Sequence, residues 1–82
     1  SVLWRFGLGR LRRLSAKQAI RILRSQGGFE VVRQRGCHLT LQKVEVGRTR
    51  TVIVPNHDPL AIGTLRSIIR QSGMAREHFE SD

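Results

Sequence analysis

The sequence has 82 residues, room for a single domain, and a formal net charge of +9 from 15 Lys and Arg against 6 Asp and Glu. A chain this short buries only roughly 60% of its unfolded surface, but its 39% hydrophobic content supports a compact core and excludes disorder throughout. The single cysteine, Cys37, excludes an intrachain disulfide and a cysteine-based metal cluster, and no apolar run approaches the roughly 20 residues that cross a bilayer.

Thirteen of the cations are Arg; Lys17 and Lys43 are the rest. The planar guanidinium matches phosphate and guanine edges. A positive field of this size points to nucleic acid before anionic membrane. A cytoplasmic location is expected, with no membrane partner.

Residues 1–11 mix apolar residues with arginines, and their apolar stretch is too short for a signal peptide. They are read as a basic arm or a cloning-derived extension, and residues 12–82 as the folded domain. Residues 15–26 read as a helix. Ser15 and Gln18 form a capping box, and Ala16, Ala19, Ile20 and Leu23 share one apolar face. Gly27 is expected to supply the left-handed stop.

From Phe29 the period changes to two, and Phe29 to Arg35 reads as a first strand. Gly36 punctuates it. His38 to Lys43 alternates, with Leu39 and Leu41 on one side and His38, Thr40 and Gln42 on the other. A turn near Gly47 and Arg48 leads to a third strand, Thr49 to Val54, completing an antiparallel meander that Pro55 ends. Residues 55–59 form a loop, and Ile62 to Ser72 a second helix with Ile62, Leu65, Ile68 and Ile69 inward and Gly73 as its stop. One further helical turn is expected between Ala75 and Ser81.

The order predicts an α+β fold, α-β-β-β-α, with a three-stranded antiparallel sheet and both helices on one face. Parity then puts His38 on the open face.

The segment Arg33-Gln-Arg-Gly-Cys-His38 holds the chemistry. Arg33 and Arg35 can grip phosphates, with Lys43 further along, and Gly36 allows close backbone approach. An imidazole exchanges a proton at cellular pH, so His38 is either a proton-transfer group or an exposed strand histidine without a task. Cys37 is expected to point away from His38 and to be a small buried hydrophobe. His57 and Asp58 read first as turn formers, and Arg66 and Arg70 as a solvated helix face, with Cys37, His57, Arg66 and Arg70 kept as accessory contacts. No metal-ligand spacing, Walker motif or carboxylate pair occurs, and no metal or small-molecule cofactor is expected.

Leu14-Ser-Ala-Lys-Gln18, Gly28-Phe29, Arg33 to His38, Thr51 to His57 and Ile62 to Gly73 form an ordered series that resembles the HicA toxin family of bacterial toxin–antitoxin pairs. The resemblance runs from about Arg12 to Phe79. It implies a fold like the double-stranded-RNA-binding domain. It also implies an endoribonuclease acting on single-stranded or structured mRNA, with a HicB-type antitoxin as partner. The family's catalytic histidine follows a Gly-Ser or similar pair, which places that role on His38. Two positions depart: Cys37 stands where Ser is frequent, and Leu39 where a second histidine often follows. The rival reading is a non-catalytic double-stranded-RNA-binding module. Such modules usually open the last helix with a lysine cluster, and here it opens Ile62-Gly-Thr-Leu-Arg66.

Overall fold

The computed structural model describes residues 10–81, the side chain of Ser81 excepted. Most of the expected N-terminal arm, residues 1–9, lies outside the described residues. The elements are β1 (Arg10–Leu11), α1 (Ala16–Ser25), β2 (Glu30–Arg35), β3 (His38–Glu45), β4 (Arg48–Pro55), α2 (Ile62–Ser72), a 3-10 turn (Arg76–Phe79) and β5 (Glu80–Ser81).

The α1 helix starts where the capping box places it. The Gln18 amide donates to Ser15 Oγ at 3.1 Å and the Ser15 amide to Gln18 Oε1 at 2.9 Å. Its buried stripe holds Ala16, Ala19, Ile22 and Leu23, with Ile20 only half-buried. The expected stop is corrected by one residue. Gln26 caps the helix and Gly28, not Gly27, carries the positive φ of 75°. Gly27 is needed for close approach instead: a Cβ there would stand 2.5 Å from Met74 Sδ and 2.8 Å from the Leu23 carbonyl oxygen.

β2, β3 and β4 form one antiparallel sheet in that order. Leu41, Val52 and Val54 are fully buried beneath the helices, against Leu23 of α1 and Leu65 and Ile68 of α2. Both helices cover this one face. The architecture is the α-β-β-β-α arrangement of the double-stranded-RNA-binding-domain type. Ile62, expected inward, is exposed at the first position of α2. The Ile53 amide on the edge of β4 donates to Gln71 Oε1 of α2 at 3.0 Å, so the helix supplies an acceptor the sheet lacks there.

Phe29 is buried and Val31 pairs with Leu41, while Arg33 pairs with Thr40 and Arg35 with His38. All four β2-side positions are odd-numbered, so a regular strand would put them on one face. The register shifts between Val31 and Arg33. Val32 is the extra residue of a β-bulge, and the bulge lets Val31 share the helix-covered side with Leu41, although at the sheet edge it stays 40% exposed, while Arg33 and Arg35 face outward.

A second, two-stranded sheet closes the termini. Arg10 pairs with Ser81 and Leu11 with Glu80, and the Arg12 amide donates to the Phe79 carbonyl at 2.8 Å. The turn expected near the C-terminus is the 3-10 segment, which buries Phe79.

Candidate active site and nucleic-acid interface

The site begins with the tight turn joining β2 to β3. Arg35 and His38 are cross-strand partners, leaving Gly36 and Cys37 as a two-residue loop. Gly36 has φ 58°, and among the described residues no non-glycine residue has positive φ. A left-handed first position followed by an ordinary second one is the pattern of a type II′ hairpin, which asks for Gly first. The space around Gly36 is open, with nothing within 4 Å of a Cβ built there.

Cross-strand partners share a face, so the open side of the sheet reads in rows. Arg35, His38 and Pro55 form the row next to the turn. Arg33, Thr40 and Ile53 form the second, and Glu30, Gln42 and Thr51 the third. Directly opposed side chains have Cβ atoms about 4.5–5.5 Å apart and diagonal ones about 7–8 Å. Arg35 is thus the immediate neighbour of His38, and Arg33 lies within reach of it. All three are exposed. The ion pairs among the described residues involve neither Arg33 nor Arg35.

Cys37 departs from expectation twice. It lies in the turn rather than on the strand, so strand alternation does not govern it. It is exposed, and its Sγ stands 3.8 Å from His38 Nδ1. Behind it, the Asn56 amide donates to the Cys37 carbonyl at 2.6 Å, tying the hairpin to the chain leaving β4. Asn56 begins the loop that holds His57. The His57 carbonyl accepts the Ala16 amide at 2.9 Å, so this backbone anchors the first turn of α1, and the His57 side chain is exposed.

The other sequence-derived contacts are not gathered at His38. Lys43 has the parity of Leu39 and Leu41, facing the helix layer near the far end of β3. It lies five positions on from His38, roughly 17 Å along the strand. Its Nζ is 3.9 Å from Glu45 Oε2. Arg66 and Arg70 are exposed on α2, and Arg70 Nη2 donates to Ser67 Oγ at 3.2 Å. They belong to the helix layer. The structure therefore brings together Arg33, Arg35, Gly36, Cys37 and His38, and leaves Lys43, Arg66 and Arg70 elsewhere.

Such a constellation can place a proton acceptor beside two phosphate-binding cations on a surface open to a polymer. The family model for the HicA toxin of bacterial toxin–antitoxin matches residues 16–74. The chain belongs to the HicA toxin family. The matched span runs from the first residue of α1 past the end of α2 and contains the whole His38 constellation; β1 and β5 fall outside it. No curated protein and no solved structure matches the chain. No described helix is long and apolar enough to cross a membrane.

Proposed function

We propose that this HicA-family toxin is an endoribonuclease that cleaves mRNA by metal-independent transesterification, with His38 as the proton-transfer residue. What carries the reading is the row Arg35–His38–Pro55 on the open face, with Arg33 in the next row. The RNA backbone lies across this face, with Arg33, Arg35 and the Gly36 backbone as its contacts. His38 takes the proton of a 2′-hydroxyl as that oxygen attacks the adjacent phosphorus. The bond from phosphorus to the 5′-oxygen breaks, and the leaving oxygen takes a proton from water. The products are a 2′,3′-cyclic phosphate and a 5′-hydroxyl. Arg35 and Arg33 stabilise the charge that builds on the phosphoryl oxygens.

A HicB-type antitoxin neutralises the toxin by covering this face. Ile53, 41% exposed in the second row, gives it an apolar foothold beside the cations. An acidic partner would also associate quickly with a protein of charge +9. The test is cleavage of an RNA in the presence of chelator. Wild type should yield cyclic-phosphate ends, and a 2′-deoxy substitution at the scissile nucleotide should block the cut. Full activity of His38→Ala would reject the assignment.

A further inference from the structure

The outer side of α1 carries Lys17, Arg21 and Arg24, all exposed. Spacings of four and three residues align them on one helical face, spanning about 10 Å. The ion pairs among the described residues include none of the three. They line a groove whose opposite wall is Gly28, Phe29 and Glu30, where the chain enters β2. Glu30 is the one carboxylate on that lining. β2 is an edge strand, and further along it Arg33 and Arg35 face the open side. The α1 groove and the His38 face therefore meet around the β2 edge.

We propose that this groove is a second phosphate-binding subsite, taking the continuation of the RNA strand whose scissile phosphate lies at His38. The inference rests on RNA as the substrate of the His38 face. The chemistry of the groove favours a nucleic-acid backbone over a protein. Among the described residues the exposed large apolar side chains are Val31, Val32, Val44, Val46, Ile53 and Ile62; none belongs to α1, and only Val31 and Val32 adjoin the groove, next to Glu30 on β2. A protein interface draws its energy from apolar and aromatic anchors and is depleted in Lys, whereas a row of unpaired cations on a helix suits successive phosphates. An RNA strand must turn around the β2 edge to occupy both sites, so this contact requires a flexible single strand.

The experiment measures RNA binding against salt in a His38→Ala background, where cleavage does not interfere. The comparison is the triple variant Lys17→Gln, Arg21→Gln, Arg24→Gln, on single strands of about 4 and about 20 nucleotides. On the long strand the slope of log K against log salt should fall by about 2, since each neutralised phosphate contributes about 0.7. Binding of the short strand should stay unchanged. In the His38-intact protein the same triple variant should raise KM for the long RNA and leave kcat alone. An unchanged slope on the long strand would reduce Lys17, Arg21 and Arg24 to a solvated helix face. An equal loss on both lengths would assign the effect to net charge. Weakened antitoxin binding with RNA binding intact would make α1 a protein contact. Because the readout is binding, a failure of His38 as the catalytic group would appear separately, as residual cleavage by His38→Ala.

Discussion

At the turn end of the sheet, Arg33 and Arg35 stand on the open face outside any of the ion pairs found among the described residues, beside an exposed histidine. At the opposite end, Lys43 and Arg50 share Glu45, at 3.9 and 2.8 Å. The Arg50 guanidinium also lies over Gly73, where a Cβ would be 2.6 Å from its Cζ. That position is the C-terminus of α2, the end of a helix that attracts cations. The far end also holds Arg48, the cross-strand partner of Glu45, so its three cations lie around one carboxylate, whereas the two at the turn end face Thr40 and His38. Under the proposed function, which cations contact RNA follows from the carboxylates placed near them, and a net charge averages over both groups.

The largest expected effect lies at the turn end. His38→Ala should lower RNA cleavage by about 10²–10⁴-fold and abolish growth arrest on induced expression, without a change in melting temperature. Two glycines separate the ends next. Gly73→Ala should destabilise the protein by about 2 kcal/mol, because a left-handed residue acquires a Cβ and the Arg50 guanidinium must move. Gly36→Ala, equally left-handed but in open space, should cost about 1 kcal/mol, and thermal unfolding would rank the two. Similar losses would mean that Arg50 yields without resistance.

A third comparison sets RNA affinity against position. Arg33→Gln with Arg35→Gln should lower the salt slope of RNA binding by about 1.4, and Lys43→Gln should leave it unchanged. A loss at Lys43 as large as that at Arg35 would restore it to the interface assigned from the sequence. The smallest effect belongs to Glu45→Gln. Its ion pairs are partly exposed, so unfolding should report a loss of at most about 1 kcal/mol.

The element order was readable because the apolar period switches cleanly, from the helical spacing of Ala16, Ala19 and Leu23 to the alternation of Leu39 and Leu41. The face that carries His38 followed from the same alternation. Strand β2 resisted that reasoning. Counting by twos would place Phe29, Val31, Arg33 and Arg35 together, and the conflict between two apolar and two charged residues was the available sign of a bulge. Cys37 was misplaced because one residue of boundary separates a strand, where alternation holds, from a turn, where it does not. The pairing of β1 with β5 joins residues 10–11 to residues 80–81. Two-residue strands are too short to carry a period.

The bulge has a consequence for insertions and deletions. Removing Val32 would bring Arg33 into sequence with Val31 and leave every cross-strand partnership of β2 as it stands, from Glu30–Gln42 to Arg35–His38. Losing Gln34 instead would reverse the phase between Arg33 and Arg35 and turn one of them toward the core. Val32 therefore works as a spacer between two reading phases of the same strand. Upstream, the phase is locked by the burial of Phe29; downstream, by the hairpin that presents His38. A one-residue length change can be absorbed at this point while the hydrophobic layer and the reactive face each keep their own register.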